Sequence, residues 1–213
     1  ERRAWLEMAL QNALQALKTR LTEQSTQGTR LAALREGLGL PDTVQRIECF
    51  DVSHTMGEAT VAACVVYDRM DMRPGEYRRY NIEGVTRGDD YAALAQALAR
   101  RYARIAGGEG VAPDLIFIDG GKGQVGAAKE ALAEAGLSDI ALVGIAKGPE
   151  RKPGLEELWV GARPVTLASD HAGLHLIQRI RDEAHRFAIA GHRPRPSKRR
   201  PTSTLEGIAG IGA

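Results

Sequence analysis

The sequence has little cysteine, few aromatic residues and no long apolar run. Its two cysteines, Cys49 and Cys64, cannot build a disulfide framework, and no Cys-x-x-Cys pair is present. Each lies in an apolar, strand-like run (RIECFDV and VAACVVY), which predicts two reduced core thiols in a cytoplasmic protein. No apolar stretch approaches the roughly 20 residues that span a bilayer, so no membrane-spanning helix is expected. The opening ERRAWLEMALQNALQALKTR is charged throughout and lacks an apolar signal core and a cleavage site. Its first residue, Glu rather than Met, reads as an internal start. Aromatics make up 5% of the chain, which argues against base stacking as a main mode of binding. The GGKGQ stretch lacks the GxxxxGK[ST] spacing of a P-loop.

What is present is an ordinary globular composition, 43% hydrophobic and 26% charged over 213 residues. That length suits one domain with an appendage. The net charge of +2 conceals an asymmetry: Arg179 to Arg200 carries a local +6, and the remainder sums to −4. A basic strip on a mildly acidic body is either an anion-binding surface or a solvated tail, and charge alone does not separate the two.

Residues 1 to about 37 read as helical, with Leu6, Leu10, Leu14, Leu17 and Leu21 at three- and four-residue spacing. The cluster Ser25–Gly28 predicts a break, with a second short helix over Leu31–Leu38. The leucine stripe calls for a partner, in the main domain or on another chain. From Gln45 the pattern changes to strands: Gln45–Val52, Ala59–Asp68 and Glu76–Glu83, an antiparallel meander. A helix over Asp89–Ile105, a strand Asp114–Ile118, a helix Gln124–Ala135 and a strand Ile140–Ile145 come next. A small hairpin (Leu155–Val160 and Pro164–Thr166) precedes a last helix, Ala172–Ala190, and a Pro- and Arg-rich linker. This order predicts an α/β domain with an RNase H-like mixed sheet, an antiparallel three-strand meander plus parallel strands, and helices on both faces. The expected division is 1–40 for the N-terminal helical segment, 41–192 for the sheet domain and 193–213 for the basic linker together with the short LEGIAGIGA stretch.

Sites in such sheets form at strand ends. Asp51 ends the first strand and Asp119 directly follows the fourth, in LIFIDGGKGQ. Taken singly, Asp119 before Gly reads equally well as a turn former, and Asp51 as a buried, hydrogen-bonded Asp. Together at neighbouring strand ends they suit a hard cation, because paired carboxylates repel unless a cation sits between them. On the last helix Gln178, Arg181, Asp182 and His185 share a polar face, opposite Ile177, Ile180, Ala184 and Phe187. His185 titrates near neutrality and suits a metal ligand or a general acid–base. Asp182 reads as an orienting group or as the i+4 partner of Arg186. Lys122 is a candidate phosphate contact, and His54 a candidate for the same site as Asp51. His171 and His175 read as helix-surface histidines. Asp89 and Asp90 read either as a helix cap with a dipole-favoured acid or as a further carboxylate.

The motifs FDVSHTMGE, YRRYNIEGVTRGDDY, LIFIDGGKGQ, GIAKG and RIRDEAHRFAI, in this order over about residues 45–195, resemble the C-terminal half of the UvrC family. These are the nuclease subunits of bacterial UvrABC excinucleases. The resemblance implies an RNase H-like endonuclease domain that incises DNA 5′ to a lesion with Mg²⁺ or Mn²⁺. The family's Asp-Asp-His triad falls on Asp51, Asp119 and His185, and a further family acid falls on Asp89 or Asp90, with Asp90 favoured. Damaged double-stranded DNA and UvrB, with UvrA upstream, are the implied partners. The family's GIY-YIG nuclease, which makes the 3′ incision, is missing. So is its tandem helix-hairpin-helix module, of which only GIAGIG is present, with Ala209 where the family commonly has Pro.

On this reading Arg181, Arg186, Arg193, Arg195, Lys198, Arg199 and Arg200 bind backbone phosphates, a sequence-independent and salt-sensitive interaction. The competing reading is a non-catalytic nucleic-acid or protein-binding scaffold on the same fold. It accounts for the basic strip and the leucine stripe, but not for acids at two strand ends facing a phosphate-binding surface.

Overall fold

A computed structural model describes residues 2–54, 60–86, 88–146, 148 and 156–190. The chain opens with helix α1 (Arg2–Leu38), continuous through the break expected at Ser25–Gly28. The hydroxyls there do not compete with the helix. Those of Thr22, Thr26 and Thr29 donate to the carbonyls of Lys18, Thr22 and Ser25, 2.9–3.1 Å away and one turn back. Gly39, at φ 67°, ends the helix in the left-handed region that favours glycine. Trp5 and the Leu6–Leu21 stripe are exposed, and among the described residues α1 enters the core through Leu31, Leu34 and Leu38.

The sheet contains β1 (Ile47–His54), β2 (Thr60–Asp68), β3 (Asp71–Met72), β4 (Arg78–Asn81), β5 (Leu115–Asp119), β6 (Ala141–Ala146), β7 (Glu157–Val160) and β8 (Arg163–Val165). Between β4 and β5 runs α2 (Asp90–Ala106), between β5 and β6 runs α3 (Lys122–Glu134), and α4 (Ala172–Ala190) ends the described chain. The spatial order is β3-β2-β1-β5-β6-β7-β8, with β4 also on β2. β5 is parallel to β1 and β6; the other pairs are antiparallel. The meander of an RNase H-like sheet is therefore present. Its third strand is shorter than Glu76–Glu83, because Pro74 starts a 3₁₀ turn over Pro74–Glu76.

Strand alternation sorts the layers. Ile47, Cys49, Leu115 and Phe117 pack with α1 and α4, against Leu34, Leu176, Ile177 and Ile180. Phe50, Ile116 and Ile118 point the other way, to Leu94, Leu98 and Tyr102 of α2 and Val125 and Leu132 of α3. α1 crosses α4 at Gly173, where a Cβ would stand 2.7 Å from the Leu34 backbone. Both cysteines are buried and free.

Glu48, on β1, faces α2 and is fully buried. Arg101 of α2 meets it with two nitrogens, Nη2 and, at 3.2 Å, Nε, and the Tyr102 hydroxyl donates at 3.0 Å. Arg46 reaches Glu48 at 3.7 Å and continues to Glu76 at 2.6 Å. This network ties β1 to α2 across an otherwise apolar layer.

Candidate metal centre

The last register pair of β1 and β5 is Phe50 with Ile118, so Asp51 and Asp119 are the next residues of two adjacent parallel strands. They share the parity of Cys49 and Phe117, the face on which α4 packs. From α4, His185 completes the group: ligand atoms of Asp51, Asp119 and His185 all lie within 4.8 Å of one another. His185 Nδ1 is 3.3 Å from Asp51 Oδ2, and the Ser53 hydroxyl donates to that same oxygen at 2.8 Å. Asp51 is buried, Asp119 half-buried, and 58% of the His185 side chain is open to solvent. The cluster is thus fixed on its sheet side and accessible on its helix side.

The field there is negative. The Cys49 thiol, just below, is pushed well up, first by burial and then by the charges of Asp119 and Asp51. Two carboxylates this close favour a cation between them. Among the described residues this is the group of three or more His, Cys, Asp and Glu side chains that could hold a metal ion. Carboxylate oxygens are the donors Mg²⁺ and Mn²⁺ prefer.

Two neighbours that sequence reasoning missed hold α4 in place. Glu156, buried just ahead of β7, accepts from Gln178 Nε2 at 3.1 Å to each oxygen and from Arg181 Nη1 at 3.0 Å. Burial pushes this carboxyl up, but the bonds from Gln178, the backbone and Arg181 more than offset it, so it stays below the ordinary range. Arg181 also reaches Asp182 Oδ1 at 3.0 Å. Burial pulls its guanidinium down, while Asp182 and Glu156 outweigh that and raise it. Beyond His185, Arg79 of β4 donates to the Phe187 carbonyl, from Nε at 2.9 Å, and its guanidinium stacks 3.8 Å from the Phe187 ring centroid. His185 is therefore flanked along α4 by two tethers to the sheet. Glu156 lies outside the apolar and glycine-rich motifs, and no spacing signals it.

Of the other candidates, Asp89 caps α2, accepting from Ala92 N–H at 3.0 Å. Asp90, in the first turn, faces His54 Nε2 instead, while His54 Nδ1 is 3.0 Å from the Thr60 hydroxyl. By strand parity His54 points away from Asp51, so it stands with Asp90 on the α2 side. Lys122 opens α3 three residues after Asp119, with its ammonium 5.8 Å from the Trp159 ring centroid. Arg186 pairs with Glu183, not with Asp182 as the i+4 pattern suggested, because Asp182 is engaged by Arg181. His171 accepts from Gly173 N–H at 3.1 Å and His175 is exposed. Arg193, Arg195, Lys198, Arg199 and Arg200 lie outside the described residues.

Comparison with known proteins shows what the chain is similar to. The family model for the UvrC RNase H endonuclease domain matches residues 35–189. The chain is 62% identical over 215 residues to the UvrABC system protein C of Methylobacillus flagellatus, covering 100% of this chain and 36% of that protein. It is 61% identical to the protein of the same name from Nitrosomonas europaea, covering 100% of this chain and 35% of that one. The chain thus spans about a third of the length of the curated relatives it matches. Among solved structures, the catalytic domain of human endonuclease V is similar at a TM-score of 0.48 and 16% identity, over 82% of this chain and 96% of that one.

Proposed function

The chain belongs to the UvrC RNase H endonuclease domain family, and from that premise we propose that it cuts damaged double-stranded DNA 5′ to the lesion in nucleotide excision repair, by metal-dependent phosphodiester hydrolysis. The observation that carries this reading is the convergence of Asp51, Asp119 and His185 on one open face. Asp51 and Asp119 would hold Mg²⁺ or Mn²⁺, with His185 as a third ligand or a proton carrier. When bound, such an ion activates water and offsets charge on the phosphate under attack.

The chain's own residues set the rest. Ser53 fixes the Asp51 carboxylate by donating to Oδ2. With Nδ1 turned to Asp51, His185 leaves Nε2 to exchange a proton with a substrate oxygen. Lys122 and Arg186 are candidates for backbone phosphates, together with the basic residues of 193–200. Arg181 is better placed to orient α4 than to reach DNA, given its two carboxylate partners. Asp90, paired with His54, is the candidate for the further acid.

We assign the nuclease unit to residues 41–192, with 1–40 as its helical lead-in and 193–213 as a basic linker toward a helix-hairpin-helix module. UvrB, loaded by UvrA, is the proposed partner, and the cytoplasm the proposed location. The scaffold reading is less well supported, since without a cation the two carboxylates would repel the phosphates it is meant to bind.

The test uses the intact protein in a reconstituted reaction with UvrA, UvrB and lesion-bearing DNA labelled on the damaged strand. Asp119→Asn and His185→Ala are expected to abolish the 5′ nick and retain the 3′ nick. Normal 5′ nicking in both variants would favour the scaffold.

A further inference from the structure

At the other end of β1 and β2 from the metal centre, five arginines converge. Arg20 and Arg30 come from α1, Arg69 and Arg73 from the β2–β3 hairpin and the residues just after it, and Arg179 from α4. They line a cleft of about 330 Å³ that contains two acids, Glu23 and Asp71. Asp71 lies 3.5 Å from Arg179, and Arg73 donates to the Asp68 carbonyl at 3.1 Å. No ion pair within the described residues engages Arg20, Arg30 or Arg69. A net +3 is therefore gathered in one concavity, and like charges held together in this way favour an anion.

Two buried polar side chains lie against the cleft; of these a hydroxyl can donate to a phosphate, whereas a carbonyl oxygen such as Gln27 Oε1 accepts and does not. Gln27, in the cleft wall, is nine-tenths buried with its Oε1 unpartnered. Tyr67 is wholly buried beneath, and its hydroxyl has no hydrogen-bond partner. That phenol is pushed up to about 12, chiefly by burial, but Arg179, Asp71 and Arg30 are close enough for their charges to act on it. Unsatisfied groups of this kind are uncommon and call for an explanation. The hairpin tip adds a third observation. Arg69 and Met70 both sit in the left-handed region, at φ 52° and 63°, where such a turn normally takes Asn and Gly. The chain holds Arg69 over the cleft in a conformation its side chain disfavours.

We infer that this arginine cleft is a second phosphate-binding site, which takes backbone phosphates of the DNA whose strand is cut at the metal centre. The inference rests on the nuclease reading for the identity of the anion. Arg179 also joins the cleft to α4, the helix that carries His185. The cleft lies on the same α1–α4 side of the sheet as Asp51. From Asp51 back to Ile47, which pairs with Tyr67, is four residues or about 13 Å of strand, a few phosphates along a DNA strand. Guanidinium groups suit phosphate oxygens and carry no sequence preference, as an enzyme that accepts any flanking sequence requires.

The test compares the intact wild-type protein with an Arg20→Gln/Arg69→Gln double variant and with Asp119→Asn. Fluorescence anisotropy of a labelled duplex is recorded without divalent metal over a salt series, and isothermal calorimetry measures binding of inorganic pyrophosphate. Arg20 and Arg69 are exposed and outside the core, so an unchanged melting temperature confirms that the variant is folded. The double variant is expected to bind DNA about tenfold more weakly and to lose nearly 2 from the slope of log K against log salt, while Asp119→Asn, which removes a charge that repels phosphate, binds no more weakly than wild type. An unchanged affinity and slope together with unchanged pyrophosphate binding would overturn the site. Lost pyrophosphate binding with unchanged DNA binding would overturn the assignment to DNA and leave a site for a free phosphorylated ligand. If Asp119→Asn still nicks 5′ to the lesion while the double variant loses affinity, the nuclease reading fails and the cleft stands.

Discussion

Buried Glu156 and half-buried Arg181 form an ion pair of 3.0 Å one helical turn ahead of His185. Arg181 Nη1 and Gln178 Nε2 both end on this carboxylate, so the helix face carrying His185 cannot rotate without breaking three hydrogen bonds. Glu156→Ala leaves a half-buried guanidinium with Asp182 alone and is expected to cost about 3 kcal/mol in urea unfolding. It is also expected to slow 5′ incision, and Glu156→Gln, which keeps an acceptor for Gln178 and Arg181, to slow it less. Equal slowing in the two variants would show that Glu156 does not act by holding α4.

The same residue predicts a pH dependence. Glu156 is held below the ordinary carboxyl range by Gln178, the backbone and Arg181, against burial, and Glu76 is held below it mainly by its bond to Arg46. A carboxyl depressed in the folded state stabilises the fold fully above its unfolded value, about 4.3, and less as pH falls through the folded value. Chemical denaturation should therefore show stability declining from about pH 5 toward pH 3. Glu156→Gln should be less stable than wild type at pH 7, and the gap should narrow in acid.

The Ser53 hydroxyl holds Asp51 by donating to Oδ2 at 2.8 Å. Groups that orient a ligand typically tune metal affinity by about 10- to 100-fold. Ser53→Ala should raise the Mn²⁺ concentration for half-maximal 5′ incision by about tenfold while leaving the melting temperature nearly unchanged.

Glu48→Ala strips a buried guanidinium of its bidentate partner and should cost about 3–5 kcal/mol. Replacing both partners, as Glu48→Leu/Arg101→Met, should cost less than Glu48→Ala, because no unpaired charge is then left inside. Equilibrium denaturation of the three proteins decides the order.

Gly173→Ala places a methyl 2.7 Å from the Leu34 backbone, a contact that only a shift of α1 relieves. Overpacking of this kind should cost about 1–3 kcal/mol, read as a lowered melting temperature. Leu34→Ala alone should not rescue it, since the clash is with main-chain atoms.

The parts of this molecule legible in the sequence share a physical cause. Asp51 and Asp119 stand out because a charged residue that ends an apolar strand breaks a strong local pattern, and strand parity then places both on one face. α4 is legible end to end from its 3.6-residue period, and with it the face that carries His185. What was hidden depends on long-range partners. Glu48 interrupts RIECFDV with a charge that looks solvent-facing, and only its distance from Arg101 in space makes it a core residue. Glu156 sits outside the apolar motifs, and its partners are 22 and 25 residues away. The continuity of α1 was masked by Ser and Thr, whose hydroxyls turn back on the helix instead of breaking it. The cleft arginines come from three separate stretches of chain, and of them only Arg179 belongs to a run that charge counting detects.

Helix α1 also sets a mechanical condition. Its 37 residues make a rod about 55 Å long, of which only the last few turns, from Gln27 on, are gripped by the core. The preceding 25 residues extend about 37 Å beyond that grip. Pivoting the rod by about 10° at the Gly173–Leu34 crossing, about 48 Å from its tip, would carry its far end through about 8 Å. The crossing is thus a fulcrum, and because α4 also carries His185, a force applied at the tip of α1 acts on the helix that completes the metal centre.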